Sequence, residues 1–134
     1  MAASPLAKKL GIKAGHKVLV LNSPEGYIDS LSDLPQGVEL STDADGAFDF
    51  IQVFVNSKAE VDNLAPTGLG ALQPGGLLWF SYPKKTSKIA TDISRDTGWD
   101  RLAKAKMRPV SQISIDETWS ALRFRPVDDV KPIR

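Results

Sequence analysis

The chain has 134 residues, of which 42% are hydrophobic and 25% are charged, and its net charge is +1. These values are typical of a single globular domain, and they argue against a protein whose whole surface is adapted to nucleic acid. The chain contains no cysteine, which excludes disulfides, thiolate zinc sites and cysteine nucleophiles.

The first part of the chain predicts two short helices around one strand. Pro5 and Gly11 are typical of the first position and the left-handed stop of a helix. Residues 17–21 form an apolar run without alternation, which is typical of a central parallel strand buried on both faces. Residues 24–34 follow the capping residue Ser23 and carry an apolar stripe at helical spacing, so they predict a second helix.

The middle of the chain predicts two strands and a helix. Residues 38–42 predict either a poorly paired edge strand or no strand, whereas residues 50–55 predict a buried strand. Ser57 and Glu60 have the spacing of a capping box and predict the start of a helix. Pro66 lies too deep in this helix for an unbroken run, so we expect a kink or two short pieces.

A strand, a polar segment and a helix follow. Residues 73–76 predict a tight turn before a strand over residues 77–82, which is apolar on both faces. Residues 83–96 form a polar segment long enough to be either functional or mobile. Beyond it, apolar residues from Trp99 to Met107 recur at helical spacing and predict a helix.

The last elements complete the fold-class prediction. Residues 109–115 and 119–125 alternate in polarity across a short link, and so predict an antiparallel pair. The order of elements predicts an α/β fold with three Rossmann-like layers, whose mostly parallel sheet of about five or six strands ends in an antiparallel hairpin. We expect one domain over residues 1–126 and a frayed tail over residues 127–134.

Several phrases of the sequence resemble class I S-adenosylmethionine-dependent methyltransferases. Residues 10–21 resemble the entry to their first strand, residues 48–55 their fourth strand, and residues 71–80 their Pro-Gly-Gly turn and fifth strand. The chain also resembles a group of small bacterial proteins that share its Pro-Lys-Lys and Trp-Ser-Ala-Leu-Arg phrases. The likeness implies a reduced fold, because only residues 43–49 stand where the family has two helices and a strand.

The loop after the first strand argues against the family's cofactor. In the family this loop is rich in glycine and offers backbone N–H groups to S-adenosylmethionine, whereas here it includes Pro24, which has no N–H. A lost hydrogen bond and a left-handed non-glycine residue together cost about 3–5 kcal/mol. We therefore expect no cofactor, and S-adenosylmethionine is disfavoured. The likeness implies a ribose-binding role for Glu39, and a solvent-facing glutamate on an edge strand is the alternative.

The candidate ligand site is the edge of the sheet where the parallel strands end. Its residues follow three predicted strands: Asn22, Ser23, Glu25 and Gly26; Asn56 and Ser57; and Tyr82, Lys84, Lys85 and Lys88. Helix N-termini and lysines at one edge predict a small anionic ligand or phosphate. The alternative is a solvated lysine loop and a serine that only caps its helix.

The other candidate residues have simpler interpretations. His16 is expected on the surface, at the end of the first strand opposite the ligand edge. Asp92, Asp96 and Asp100 share a helical spacing, but a solvated acidic face explains them better than a metal site, and no metal is predicted. Trp99 is expected in the core, with a lid or partner contact as the alternative.

Three functions remain open from the sequence. The first is a non-catalytic or weakly ligand-binding module derived from a methyltransferase-like scaffold. The second is a small enzyme acting on an anionic or nucleotide-like metabolite, although no catalytic residue is assigned. The third is a structural protein that associates with itself or a partner. Without a signal-peptide pattern or a membrane-length apolar run, we expect a cytoplasmic protein with no membrane contact and no specific nucleic-acid partner.

Overall fold

The structure is a computed structural model that describes residues 5–31, 34–94 and 97–126. In chain order its elements are α1 (Pro5–Leu10), β1 (Lys17–Leu21), α2 (Tyr27–Ser30), β2 (Glu39–Ser41), β3 (Phe48–Phe54), α3 (Lys58–Ala71), β4 (Leu72–Pro83), α4 (Asp100–Lys104), β5 (Met107–Ser114) and β6 (Trp119–Pro126). The predicted frayed tail, residues 127–134, lies outside the described residues. None of the described helices is both long enough and apolar enough to cross a membrane.

The six strands form one sheet in the order β2-β1-β3-β4-β6-β5. The first four strands in this order run parallel, whereas β6 is antiparallel to both β4 and β5. The sheet is therefore mixed rather than mostly parallel. The predicted terminal hairpin is confirmed, and its two strands form the antiparallel part of the sheet.

β2 is a paired edge strand, although it has only three residues. Its residues Glu39 and Leu40 pair with Lys17 and Val18 of β1. Residues 42–47 then lead directly into β3 without an intervening helix. The sheet therefore lacks the strand and helices that the methyltransferase likeness would place there, as the short spacing predicts.

Each face of the sheet carries a hydrophobic cluster covered by helices. α1 and α2 cover one face through Leu10 and Tyr27. α3 and α4 cover the other face through Val61 and Leu102. Helices therefore lie on both faces as expected, but only α3, with 14 residues, is long.

Two predictions about helix limits need correction: the alternative of two short pieces around Pro66, and the start of α2. α3 runs through Pro66 as one helix. A proline removes one backbone hydrogen bond, but its φ is compatible with a helix. The buried residues Val61 and Ala65 before Pro66 and Gly68 after it follow one helical spacing, so the same face is buried on both sides of the proline. α2 begins only at Tyr27, with Gly26 as its N-cap, so the predicted start at residues 23–24 is wrong.

Two further predictions differ near the ends of β4 and α4. Residues 73–76 do not form a separate turn before the strand, as predicted. They form a bulge within β4, since Leu72 pairs with Phe48 and Leu77 with Phe50. The predicted helix face reaching Met107 is too long, because α4 ends at Lys104. Lys106 then adopts a left-handed φ of 61° and turns the chain into β5.

Candidate ligand site at the carboxyl edge

The ends of β1, β2, β3 and β4 meet at one edge of the sheet, because these strands run parallel. We call this the carboxyl edge and the opposite one the amino edge. Residues 22–26 follow β1, residues 55–57 follow β3 and residues 84–94 follow β4. The structure therefore brings together the segments that hold every candidate ligand residue except Glu39. Ligands of open α/β sheets commonly bind at this edge.

The loop after β1 is held by left-handed residues and by a side-chain bond. Asn22 (φ 58°) and Gly26 (φ 84°) adopt the left-handed conformation, which asparagine and glycine tolerate well. The Asn22 Nδ2 donates to the Phe54 carbonyl at 2.8 Å and ties the loop to the end of β3. The loop thus bends without a series of glycines, although Pro24 offers no N–H to a ligand.

The N-terminus of α3 is capped by two carboxylates of the chain itself. The Ser57 Oγ accepts from the Glu60 N–H at 3.2 Å, which confirms the first bond of the predicted capping box. The Glu60 carboxylate accepts from the N–H of Asn56, one residue before the N-cap. The Asp92 carboxylate accepts from the Lys58 N–H at 2.8 Å. A further anion at this helix N-terminus would therefore meet two negative charges.

Glu60 also links two neighbouring strand ends. One oxygen of its carboxylate accepts from Asn56 after β3, and the other lies 3.5 Å from the Asn22 Nδ2 after β1. A negative charge therefore stands beside the loop that, in the resembling family, receives the charged end of the cofactor.

The acidic residue at the carboxyl end of β2 is Asp43, not Glu39. Glu39 begins β2, pairs with Lys17 at the start of β1, and donates its N–H to the His16 carbonyl. Glu39 pairs with the first residue of β1, whereas the candidate loop follows the last residue of β1, so Glu39 does not lie at the carboxyl edge. Asp43 is exposed just beyond β2, where its N–H donates to the Ser41 Oγ at 3.2 Å. The sequence around Asp43 is typical of a turn, so it gave no indication that Asp43 lies at the carboxyl end of a strand.

The end of β4 is fixed to the β5–β6 hairpin. Tyr82 is buried, and its hydroxyl accepts from the Gln112 Nε2 at 2.6 Å. The Lys84 Nζ donates to the Ser114 Oγ at 2.6 Å, while the Lys84 N–H donates to the Thr118 carbonyl at 2.7 Å. Gln112 is a site residue that the sequence could not identify, because only the pairing of β5 with β6 brings it near β4.

Two cavities flank the polar segment after β4. The first, of about 280 Å³, lies between Tyr82, Lys84, Lys85, Ile93 and Gln112. The second, of about 360 Å³, also includes Lys85 and Ile93 in its walls, and adds Lys88. Cationic and apolar side chains therefore stand side by side at the end of β4, and Lys85 and Lys88 are exposed.

Trp99 belongs to the core rather than to a lid. Its ring meets those of Phe80 and Tyr82 edge-on, with centroids 5.9 and 5.5 Å apart. It is buried, as are Trp79 and Trp119. The prediction that Trp99 is a core residue is confirmed.

The acidic residues do not form a metal site within the described residues. Asp92 caps α3 and Asp100 begins α4, whereas Asp96 lies outside the described ranges. No group of three or more histidine, aspartate or glutamate side chains in the described part of the chain could hold a metal ion. His16 lies before β1 at the amino edge, as expected.

Comparison with known proteins identifies the fold. No protein-family model and no curated protein sequence matches this chain significantly. DhpI in complex with SAH is 17% identical with a TM-score of 0.61, over 91% of this chain and 83% of that chain. The tRNA methyltransferase TrmK of B. subtilis is 13% identical with a TM-score of 0.57, over 94% of this chain and 67% of that chain.

A third structure extends this likeness to an archaeal protein. The fibrillarin pre-rRNA processing protein of Methanococcus jannaschii is 15% identical with a TM-score of 0.58, over 89% of this chain and 72% of that chain. Identities this low establish the fold alone. Together with the strand order, they show that the chain has a reduced form of the Rossmann-like fold of class I S-adenosylmethionine-dependent methyltransferases.

Proposed function

We propose that this chain is a small ligand-binding module on a methyltransferase-like scaffold, and that its ligand is a small anion with an apolar part. The observation that carries this proposal is the cavity of about 280 Å³ at the end of β4. It combines an apolar wall with two lysines, and its volume is just below the range for drug-sized ligands, which suits a small ligand.

The walls of this cavity favour an amphipathic anion. Ile93 and the ring of Tyr82 offer apolar surface, while Lys85 offers a positive charge at the mouth. The Tyr82 hydroxyl and the Gln112 amide already bond to each other, so this pair is preformed and can orient a polar group of the ligand.

The residues at the loop after β1 fit S-adenosylmethionine poorly. DhpI was solved with SAH and with SAM, which is the reason to consider this cofactor here. Asp43 at the end of β2 favours it, since an acidic residue there can bind ribose hydroxyls. Against it, Pro24 offers no N–H, and the Glu60 carboxylate 3.5 Å from the Asn22 amide would repel a carboxylate in the loop. We therefore propose no methyl transfer.

Two alternatives remain as outcomes of the test. An enzyme acting on an anionic or nucleotide-like metabolite would use the same cavity and would need a general base there. A structural partner protein would use a sheet edge, but β2 has only three residues and β5 carries Arg108 and Pro109. Short strands, charge and proline are features that block edge pairing, which makes self-association through the sheet the weaker alternative.

The test is a titration of the ¹⁵N-labelled chain with octanoate, AMP, SAH and S-adenosylmethionine, followed by backbone amide shifts. Octanoate should shift amides between Tyr82 and Ile93. Lys85→Gln should weaken octanoate binding, whereas Lys104→Gln, an exposed lysine of α4, should not. Saturation by SAH with shifts at Asn22 and Asp43, and none between Tyr82 and Ile93, would replace this proposal with cofactor binding.

A further inference from the structure

Another cavity, lined mainly by polar groups, lies at the amino edge of the sheet, opposite the edge that carries Lys84, Lys85 and Lys88. It has a volume of about 300 Å³, and Lys13, His16, Asp49, Arg123 and the bulge at Gly75 and Gly76 contribute to its walls. These residues come from the turn before β1, from β3, from β4 and from β6. Basic groups that are far apart in sequence therefore converge on one cavity.

Arg123 is the unusual member of this group. It pairs with Trp79 across β6 and β4, so both side chains emerge on the same face of the sheet. Its Nε is buried and has no hydrogen-bond partner. Burial lowers the pKa of the Arg123 guanidinium, and the like charge of Arg125 lowers it further. The buried Nε–H is therefore a donor that a bound anion could satisfy.

The other walls supply donors suited to an oxyanion. The Lys13 N–H donates to the His16 Nδ1 at 3.2 Å, so in the neutral ring the proton lies on Nε2, which is then a donor. Gly75 has a φ of 78° and no atom within 4 Å of the position of a Cβ, so its backbone is open to close approach.

One carboxylate opposes these basic groups. An oxygen of Asp49 accepts from the Lys17 N–H at 2.9 Å, which directs part of its charge to the backbone of β1. Lys13 and Arg123 still leave the cavity with an excess of positive charge.

We propose that the amino-edge cavity binds a phosphate group, either as the free ion or on a small phosphorylated metabolite. Arg123 presents its guanidinium fork to two phosphate oxygens, and Lys13 and the His16 Nε2 contact the others. A tetrahedral anion can use donors from several directions, whereas a carboxylate would use mainly the planar fork. The cavity volume admits a small phosphomonoester.

The experiment titrates the ¹⁵N-labelled full chain with inorganic phosphate, with sodium acetate and with sodium chloride at equal ionic strength. Phosphate should give saturable amide shifts at residues 13–17 and 73–77, and chloride should not. Acetate that saturates the same amides with equal affinity would overturn phosphate recognition. Phosphate shifts confined to the carboxyl edge would also overturn it, without bearing on the octanoate site.

Variants separate a binding role of Arg123 from a structural one. Arg123→Gln should raise the Kd for phosphate by about ten- to a hundredfold, the loss expected for hydrogen bonds from a charged donor. The matched control Arg108→Gln removes the same charge from the adjacent strand β5 and should change the Kd by less than about twofold. Equal losses in both variants would show diffuse charge attraction instead of a site.

A thermal readout tests the same point in the absence of ligand. In phosphate-free buffer Arg123→Gln should melt at the same or a higher temperature than the natural chain, because it removes a buried Nε–H that has no hydrogen-bond partner. Phosphate should raise the Tm of the natural chain but not that of the variant. If Arg123→Gln fails to fold, the variant Lys13→Gln, which changes an exposed residue, replaces it in the test. Lys13→Gln should raise the Kd for phosphate several-fold, and an unchanged Kd would overturn the proposed contacts.

Discussion

Replacing Tyr27 by phenylalanine tests the buried polar chain that joins the loop after β1 to the centre of the sheet. The Tyr27 hydroxyl donates to the Gln52 Oε1 at 2.6 Å, and the Gln52 Nε2 donates to the Ser81 Oγ at 2.9 Å. Gln52 and Ser81 are fully buried in β3 and β4. Phenylalanine keeps the edge-on ring contact with Phe54, whose centroid is 4.6 Å away, so the change removes mainly the hydroxyl.

The expected loss of stability follows from the partner that remains. Without the hydroxyl, the buried Gln52 Oε1 loses its donor, and an unsatisfied buried acceptor costs about 1–3 kcal/mol. For a chain of this size, each kcal/mol lowers the Tm by roughly 4 °C, so we expect a fall of about 4–12 °C at neutral pH. Adding Gln52→Met and Ser81→Ala to Tyr27→Phe should recover part of this loss, because all three members of the buried polar chain are then apolar.

The pH dependence of the loss has a definite sign. Burial raises the pKa of Tyr27 above its ordinary value, opposed by the bond to Gln52. Above about pH 10 the unfolded chain releases the tyrosine proton while the folded chain keeps it, so folding stability falls by at most about 1.4 kcal/mol per pH unit. Tyr27→Phe lacks this contribution, and the stability difference between the two chains should shrink above about pH 10.

Urea unfolding of both chains between about pH 7 and pH 11 measures this difference, since the titration of other groups is common to both chains. A difference that stays constant across the range would show that Tyr27 does not titrate with unfolding. A difference below about 0.5 kcal/mol at neutral pH would show that the bond to Gln52 contributes little.

Three further predictions concern glycines and the cap of α3, and urea unfolding measures each. Gly76→Ala should lower the free energy of unfolding more than Gly75→Ala, because a Cβ at Gly76 would lie 2.9 Å from a backbone oxygen. At Gly75 the only cost is the strain of a left-handed φ, about 1–2 kcal/mol. Equal losses in the two variants would contradict this. Gly68→Ala should stabilise α3 by about 0.5–1 kcal/mol, since its Cβ would meet neighbours only at 3.5 Å or more, and Gly70→Ala is the exposed control; a net loss at Gly68 would show that the helix lies closer to the sheet. Glu60→Gln should lower stability by about 0.3–1 kcal/mol, and this difference should shrink in high salt, which screens the charge at the helix N-terminus.

The central strands were predictable because burial on both faces of a sheet produces a run of apolar residues that is visible in the local sequence. Residues 18–21 are all apolar and residues 50–55 are apolar except for Gln52, and both segments lie in central strands. The bulge at residues 73–76 was not predictable, because turn-forming residues give the same local pattern whether or not the chain pairs on both sides of them. The end of α4 was not predictable, because the chain turns there at Lys106 with a left-handed φ. Lysine in a sequence does not indicate that conformation.

The candidate site was predictable in position but not in its contacts. Parallel topology alone predicts that the loops after β1, β3 and β4 converge. It does not reveal that Glu60 and Asp92 already accept the N–H groups of residues 56 and 58. Likewise, the position of Glu39 depends on the residue at which β2 begins, and a shift of a few residues moves an acidic group from one edge of the sheet to the other.

The reduced sheet explains why side chains carry so much of the support at the carboxyl edge. With α2 only four residues long and β2 only three, little regular structure stands behind the loop after β1. The bonds from Asn22 to Phe54 and from Tyr27 to Gln52 provide that support instead. They use polar groups that a ligand could otherwise contact, whereas the buried Nε of Arg123 at the amino edge has no partner. The short elements at the carboxyl edge therefore leave fewer polar groups open to a ligand there, whereas the amino edge retains a free donor at the Arg123 Nε.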